Sequence, residues 1–255
     1  MRRSKGKRIK SSFQKPHGNY GFDNPSGIFV LGGVVLVFWA FGLISVLLGR
    51  WMPAVMGGFL GLFPLTTLVG YIYSTRRGKL VVWSELLDDL HLRGDEQVLD
   101  MGCGRGAVMS AAAKRLDRGH AFRLDLWSSV DQSGNSPEAT LRNLEVEGVK
   151  ERCKVETGNM TAMPFADAMF DLAVSSLAIH NIKGQSGRLK ALGEASRVLK
   201  PGGKLVIVDL LPMARSYAKH LQEKGMKEVK DQPMDWRFWF GLPWAVRLVK
   251  ASKPQ

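Results

Sequence analysis

Two long uncharged stretches near the start of this 255-residue chain constrain its fold most strongly. No charged residue lies between Asp23 and Arg50, and residues 28–49 are almost entirely apolar. A helix of that length would measure about 33 Å, enough to cross a hydrocarbon core of about 30 Å. A second uncharged stretch covers residues 51–74. Because only one charged residue separates the two stretches, the sequence predicts an antiparallel transmembrane hairpin over residues 28–74.

The second stretch has features that are typical of membrane helices. Pro64 is expected to kink or break its middle, which a transmembrane helix tolerates better than a soluble one. Gly57 and Gly61 are four residues apart and predict a face that packs closely on the first helix. Aromatic residues occupy the positions expected of interfacial anchors, namely Trp51, Tyr71 and Tyr73.

Two other interpretations of these stretches remain open. The first stretch resembles the apolar part of a secretory signal, although the long lead-in and the second stretch argue against it. Both stretches also fit core helices of a soluble domain, although uncharged stretches of this length are rare there. The transmembrane hairpin is the favoured interpretation.

The charge distribution predicts how such a hairpin sits in a membrane. The chain has a formal charge of +13, and residues 1–80 hold 11 Lys and Arg against the single acid Asp23. Seven of these basic residues precede the first stretch and three follow the second, which places both termini and the rest of the chain in the cytoplasm. The basic tail over residues 1–27 is expected to contact anionic membrane lipids or to remain solvated.

The remaining 175 residues are nearly neutral, with 25 basic and 22 acidic side chains. This balance argues against nucleic acid as a partner of this part of the chain. Two cysteines, Cys103 and Cys153, do not make a disulfide framework, and no metal-ligand spacing is evident.

Residues 80–255 alternate strand-like and helix-like segments, which predicts an α/β fold with a mainly parallel sheet. The expected strands cover residues 97–101, 120–126, 152–157, 170–176 and 204–210. The expected helices cover residues 80–90, 107–116, 137–147, 187–199 and 214–224. The end of the chain reads as two further strands around Gly241.

A strand, a glycine-rich turn and a helix follow one another from Val98 to Ala107. Glycines let a backbone approach a ligand closely, and the following helix directs free N–H groups at it. Asp125 ends the second expected strand, where an acid can accept hydrogen bonds from both ribose hydroxyls. This geometry is shared by several nucleoside cofactors, and the turn alone also fits a dinucleotide-binding motif.

The complete set of motifs is more specific. VLDMGCGRG, Asp125, TGNMTAMPFADAMFDLAVSS and ASRVLKPGGKLVIVDL, in this order, resemble the class I S-adenosylmethionine-dependent methyltransferases, and most closely those with a type 11 methyltransferase domain. The resemblance covers about residues 90–255. It implies a Rossmann-like seven-stranded, mostly parallel sheet with a reversed last strand, in which residues 226–240 and 245–251 form the final hairpin.

The resemblance also implies a binding site for S-adenosyl-L-methionine. The implied cofactor-binding residues are Asp100, Gly102, Gly104, Gly106, Asp125, Leu126, Asn159, Met160 and Ser175. Asp100 and the glycines would cradle the methionine part, Asp125 would hold the ribose and Leu126 would pack on the adenine. Ser175 and Ser176, at the end of the fourth expected strand, would lie beside the sulfonium. Asn159 stands where the family commonly has an acid that meets the adenine amine, and its amide oxygen can accept the same hydrogen bond.

His180 follows the fourth expected strand, on the side where relatives of the resembled family bind substrate. Methyl transfer from a sulfonium is an in-line displacement, so a base is needed only if the nucleophile arrives protonated. The near-neutral reference pKa of a histidine suits His180 to that role. A histidine that only orients its loop is an equal alternative.

Two further segments are particular to this sequence. The loop over residues 127–136 is longer than usual for this position, and it is expected to border the adenine, to line the route of the substrate, or to be a plain surface excursion. The aromatic residues over 236–244 are expected to be partly core, with a surplus that contacts the membrane interface or covers the pocket.

The favoured function is a membrane-anchored methyltransferase that acts on a small or lipophilic acceptor. A nicotinamide-dependent oxidoreductase is an alternative on a similar fold, but Asp100 and the segment 199–203 favour the methyltransferase. A membrane adaptor without activity is a second alternative, to which only the departure at Asn159 points. Methylation of nucleic acid is disfavoured, because the fourth strand lacks an Asn/Asp-Pro-Pro-Tyr type of motif.

Overall fold

The computed structural model describes residues 15–127, 132–238 and 245–255. The basic residues of the N-terminal tail before Lys15, part of the long loop including Asp131, and the aromatic residues over 239–244 lie outside the described residues. The helices are α1 (Pro25–Leu47), α2 (Trp51–Tyr73), α3 (Lys79–Asp89), α4 (Ala107–Ala113), α5 (Pro137–Val146), α6 (Gln185–Val198) and α7 (Leu211–Glu223). The strands are β1 (Gln97–Met101), β2 (His120–Asp125), β3 (Cys153–Thr157), β4 (Phe170–Ser176), β5 (Leu199–Leu210), β6 (Lys227–Pro233) and β7 (Val246–Ser252).

The strands form one sheet in the order β3-β2-β1-β4-β5-β7-β6. The first five strands are mutually parallel, while β7 runs antiparallel to both β5 and β6. This is the predicted seven-stranded, mostly parallel sheet with a reversed last strand, and the prediction is confirmed. Helices cover both faces, α3 and α4 on one and α6 and α7 on the other. The carboxyl ends of β1, β2, β4 and β5 therefore meet at one edge, where such folds bind ligands.

Two strand boundaries differ from the expectation. β5 begins at Leu199 and not at residue 204, because Gly202 and Gly203 continue the pairing by hydrogen bonds with the backbone of Lys253. β6 ends at Pro233 and not at residue 240, because the chain turns at residues 235–238, where the N–H of Phe238 donates to the carbonyl oxygen of Asp235.

The hairpin of α1 and α2 matches the predicted pair of long apolar helices. A Cβ on Gly57 would lie 2.9 Å from the carbonyl oxygen of Phe38, so the predicted close contact between the two helices is confirmed. Their outer faces are apolar and exposed, as Phe29 (78% exposed), Leu36 (68%) and Val37 (68%) illustrate. Both helices are long and apolar enough to cross a membrane.

Two expectations for α2 are corrected. α2 continues through Pro64 to Tyr73 as a single helix, so of the expected kink or break the break does not occur. Tyr71 is buried and is not an interfacial anchor, because its hydroxyl donates to the carbonyl oxygens of Asp23 and Asn24.

α2 does not end at the boundary of the hairpin but continues into the α/β domain. A π-helical turn over Ser74–Gly78 joins it to α3, so one helical run extends from Trp51 to Asp89. On α3, Trp83 and Leu87 are fully buried in the core next to the sheet. The apolar hairpin is therefore fixed to the α/β domain by a continuous helix.

The segment before α1, residues 16–24, packs on the α/β domain, and we call it the strap. Its backbone N–H groups donate to side chains of the domain: Gly18 to Glu147 at 2.7 Å, Asn19 to Asn143 at 2.9 Å, and Phe22 to Ser133 at 2.9 Å. Residues 16–24 were expected to belong to a basic tail over residues 1–27, but in the structure they pack on the α/β domain. The reason is composition, since Asp23 is the only Asp, Glu, Lys or Arg within the strap.

Candidate active site

A cavity of about 710 Å³ opens at the carboxyl edge of the sheet, within the range of about 300–1,000 Å³ that is common for ligand pockets. Its floor is the glycine turn after β1, and its sides come from the ends of β2 and β4 and the loop after β3. Residues of α3 and of the strap complete the wall. The cavity is therefore lined by the predicted motifs and also by α3 and the strap, for which the sequence predicted no role in a site.

The glycine turn leaves no room for side chains. Gly102 and Gly104 have φ angles of 72° and 52°, in the left-handed region that favours glycine. A Cβ on Gly102 would overlap Ala178, and a Cβ on Gly104 would overlap the side chain of Gln132. Gly106, with φ of 82°, is the N-cap of α4. The predicted glycines therefore form a turn whose backbone a ligand can approach closely.

Asp100 lies beneath this turn and lines the cavity. It is 1% exposed, and its Oδ2 accepts a hydrogen bond from the backbone N–H of Met109 at 2.9 Å. Its other carboxylate oxygen, Oδ1, is buried without a hydrogen-bond partner among the described residues. An unsatisfied carboxylate oxygen at a cavity fits a ligand with a positive amino group, as S-adenosyl-L-methionine has.

Burial raises the pKa of Asp100 from 3.8 to about 7, against the opposing effects of Arg123 and the Met109 N–H. Between these pKa values the folded state holds a proton that the unfolded state has lost. The free energy of unfolding should therefore fall as pH rises from about 4 to 7, by up to about 1.4 kcal/mol per pH unit. Denaturant unfolding of the ligand-free Asp100→Asn variant should lack this decline, and parallel pH profiles for both proteins would contradict the assignment.

Asp125 ends β2 beside the glycine turn. Its Oδ2 accepts from the N–H of Gly104 at 2.8 Å, and its Oδ1 accepts from the N–H of Trp127 at 2.6 Å and from Asn135 at 3.2 Å. The carboxylate is thus fixed at the cavity wall, as a group that accepts ribose hydroxyls requires. Leu126, which is 62% exposed, also lines the cavity next to it.

Arg123 is a buried cation that the sequence analysis did not identify. Its side chain is fully buried, and its Nη2 donates to the carbonyl oxygen of Gly104 at 3.0 Å. Its guanidinium also lies 3.7 Å from the centroid of the Trp127 ring. Arg123 therefore supports both the glycine turn and the loop after Asp125.

Asn159 and Met160 line the cavity, as predicted. The Oδ1 of Asn159 accepts from the N–H and the hydroxyl of Thr161, both at 2.9 Å. The amide oxygen expected to meet an adenine amine is therefore already engaged within its own turn.

The two serines at the end of β4 have different surroundings. Ser175 is buried, and its hydroxyl donates to the carbonyl oxygen of Met101 at 3.0 Å. Ser176 lines the cavity instead and accepts a hydrogen bond from the indole of Trp83 at 2.9 Å. Because successive side chains of a strand point to opposite faces, of the two serines expected beside the cofactor Ser176 lines the cavity and Ser175 does not.

His180 forms a dyad with an acid that the sequence analysis missed. Its Nδ1 lies 2.6 Å from the Oδ1 of Asp209, whose Oδ2 accepts the backbone N–H of His180 at 3.0 Å. Asp209 is fully buried at the end of β5, whereas 21% of the His180 side chain is exposed. The carboxylate orients the ring and holds the proton on Nδ1, which leaves Nε2 as the basic nitrogen.

The position of His180 relative to the cavity differs from the expectation. Its neighbours Ala178 and Asn181 line the cavity, but His180 itself does not, because Asp209 draws the ring toward β5. An acid at the carboxyl end of an otherwise apolar strand is the signal in the sequence that identifies Asp209.

Comparison with known proteins agrees with this geometry. Residues 99–207 match the family model of a methyltransferase domain of type 11. The ubiquinone/menaquinone biosynthesis C-methyltransferase UbiE of Roseobacter denitrificans is 33% identical over 129 residues, which cover 50% of this chain and 48% of the relative. The sterol 4-C-methyltransferase strm-1 of Caenorhabditis elegans is 33% identical over 126 residues, covering 49% and 34%. The chain thus spans less than half the length of either relative.

Solved structures share the fold at low sequence identity. A SAM-dependent methyltransferase from Aquifex aeolicus superposes with a TM-score of 0.53 at 18% identity, covering 67% of this chain and 88% of that one. Geranyl diphosphate C-methyltransferase from Streptomyces coelicolor gives 0.53 at 16% identity, covering 67% and 76%. Sheet order, glycine turn and matched segment together identify residues 99–207 as part of a methyltransferase domain on a class I, Rossmann-like fold.

Proposed function

We propose that this protein transfers a methyl group from S-adenosyl-L-methionine to a lipophilic acceptor at a membrane. The observation that carries the proposal is that Asp100 and Asp125 lie on either side of a glycine turn in one cavity. The wall of this cavity includes residues of α3, which continues the apolar helix α2. We assign residues 28–74 to a membrane hairpin and residues 80–255 to the methyltransferase domain.

The cofactor would supply an electrophilic methyl group on its sulfonium, and the chain would supply binding, orientation and a dry site. The Oδ1 of Asp100 would accept the amino group, and Gly102 and Gly104 would let the backbone approach the methionine part. Asp125 would accept the ribose hydroxyls, with Leu126 and Met160 beside the adenine.

The chemistry of the cavity wall supports a lipophilic acceptor. Apolar side chains of α3 and of the loop after β4 line the cavity near the end of β4: Leu80, Trp83, Leu177 and Ile182. The relatives named above are a quinone-pathway C-methyltransferase and a sterol C-methyltransferase, and a structural neighbour is named for geranyl diphosphate. An acceptor of the quinone, sterol or isoprenoid kind is therefore the class we propose.

The attachment of the domain to a membrane is supported by the residues at the end of α2. Trp236 is 66% exposed and stacks on Tyr73, with 6.1 Å between the ring centroids. Arg76 and Arg77 are exposed on the next turn. Aromatic rings beside basic side chains are typical of the headgroup region, so we place the cavity close to the membrane surface on the cytoplasmic side.

His180 does not itself line the cavity, but its neighbours Ala178 and Asn181 do. We assign to its Nε2 the role of general base, acting through one bridging water, for an acceptor that arrives protonated. The His180→Asn variant should lower kcat by about 100-fold and leave the Kd of the cofactor unchanged. An unchanged kcat would reduce the His180–Asp209 dyad to a support for the loop after β4.

The proposed activity can be tested with the full chain in lipid bilayers. Protein is incubated with methyl-labelled S-adenosyl-L-methionine and a membrane lipid extract, and label is counted in the organic phase. We expect label to appear there with the wild-type protein and to be absent with Asp125→Ala. Binding of NADH in place of S-adenosyl-L-methionine would instead favour an oxidoreductase, and binding without transfer to any fraction would favour an adaptor.

A further inference from the structure

The strap brings a carboxylate into the wall of the cavity. Asp23 accepts hydrogen bonds from the Nζ of Lys79 at 2.6 and 2.8 Å and from the Nε2 of Gln132 at 2.9 Å. The side chains of Asp23 and Lys79 are 17% and 7% exposed. All three residues line the cavity, although they come from the strap, from α3 and from the loop after β2.

Gln132 connects this cluster to the glycine turn. Its Oε1 accepts the backbone N–H of Arg105 at 2.6 Å and occupies the space that a Cβ on Gly104 would need. An amide has one accepting and one donating end, and a carboxylate accepts only. The Nε2 of Gln132 donates to Asp23 at 2.9 Å and, over a longer distance of 3.2 Å, to the carbonyl oxygen of Tyr20. These two acceptors of the strap direct the Nε2 toward the strap and the Oε1 toward the turn. Without Asp23, the Nε2 loses the shorter of these two bonds and its charged acceptor, and the orientation of the amide is held less firmly.

The same residue of the strap is tied to the membrane hairpin. The hydroxyl of Tyr71, on α2, donates to the backbone carbonyl oxygens of Asp23 and Asn24. α1 begins directly after this point, at Pro25. One short segment thus contacts both helices of the hairpin and the loop that shapes the glycine turn.

We propose that Asp23 is a positioning residue for the cofactor site, which acts through the amide of Gln132 on the glycine turn. The docked strap is then part of the binding site, and affinity for the cofactor depends on the N-terminal segment as well as on the α/β domain. This inference rests on the proposed function only in taking S-adenosyl-L-methionine as the ligand. Asp23 does not need to touch the cofactor for this role.

The test measures the Kd of S-adenosylhomocysteine by calorimetry, with the full-length protein in detergent or nanodiscs. Asp23→Ala should raise this Kd about tenfold, equivalent to about 1.4 kcal/mol. The KM for S-adenosyl-L-methionine should rise in parallel, with kcat and the KM of the acceptor unchanged. A purely structural role would not separate these quantities.

Asp231→Ala provides a matched control. Asp231, on the edge strand β6, pairs with Arg247 on the neighbouring strand β7. The side-chain exposures of 21% and 11% resemble those of the Asp23–Lys79 pair. Asp231→Ala should lower the melting temperature about as much as Asp23→Ala, without changing the Kd of S-adenosylhomocysteine. Equal effects of both variants on the Kd would overturn the proposal.

A rescue experiment separates the role of the amide from that of the buried charge. In the double variant Asp23→Asn with Lys79→Met, the new asparagine oxygen still accepts from Gln132, and no lysine is left unpaired. Its Kd should return to within about twofold of the wild-type value, whereas Asp23→Ala with Lys79→Met should remain weak. If both double variants bind equally well, the proposal fails. If the wild-type protein binds no S-adenosylhomocysteine, the proposed function itself fails.

Discussion

Replacing Asp125 by alanine is expected to weaken the binding of S-adenosyl-L-methionine by at least about 100-fold. The substitution removes the carboxylate and with it the hydrogen bonds that we assign to the ribose hydroxyls, each worth about 1.5–3 kcal/mol as a charge-assisted hydrogen bond. It would also release the N–H groups of Gly104 and Trp127, which it now holds at 2.8 and 2.6 Å. The loss therefore affects the ligand contact and the shape of the turn together.

Calorimetric titration of the purified variant measures this effect. Asp95→Ala is a suitable control, because Asp95 pairs with the exposed Arg93 at the surface and does not line the cavity. The control should bind as tightly as the wild-type protein. If Asp125→Ala retained wild-type affinity, the cavity would not be the cofactor site.

Replacing Gly78 by alanine is expected to destabilise the protein, although alanine normally favours a helix over glycine. Gly78 ends the π-helical turn between α2 and α3, and a Cβ there would overlap the backbone carbonyl of Arg237. Arg237 cannot retreat freely, because its guanidinium pairs with Glu85 on α3 at 2.7 and 2.9 Å. The cost should be about 2 kcal/mol, in the range measured for overpacked sites.

Gly193→Ala in α6 is the matched control for this prediction. Gly193 also lies in a helix, but a Cβ there would meet no atom within 4 Å. This variant should be more stable than the wild-type protein by about 0.5–1 kcal/mol. Thermal unfolding in detergent should therefore shift in opposite directions for the two substitutions. A stabilising effect of Gly78→Ala would mean that the segment around Arg237 does not pack against the π-helical turn.

Local patterns were sufficient to predict most of the fold. β1 and β4 lie where short apolar runs bounded by polar residues or glycine predict them, and both strands are almost continuously buried. The glycine turn and Asp125 were predictable because each occupies a fixed position relative to the end of a strand. The reversed last strand followed from resemblance and not from any local preference.

The parts that were not predicted depend on contacts between distant segments. The strap has no helix or strand pattern, and Asp23 gains its role only by meeting Lys79 and Gln132, 56 and 109 residues away. Of the two serines that end β4, only Ser176 lines the cavity, because the phase of a strand, and not its composition, decides which side chain faces the ligand. Asp209 was missed because its partner His180 lies 29 residues earlier in the chain.

We propose that a methyltransferase domain fixed to an apolar hairpin methylates a lipophilic molecule. The most direct measurement is untargeted mass spectrometry of membrane lipids from cells with the wild-type protein and from cells with Asp125→Ala. We predict a lipid-soluble species that is heavier by one CH₂ group and appears only with the wild-type protein. Identical lipid fractions from the two kinds of cell, with methylated species in the water-soluble fraction alone, would contradict the proposed lipophilic acceptor.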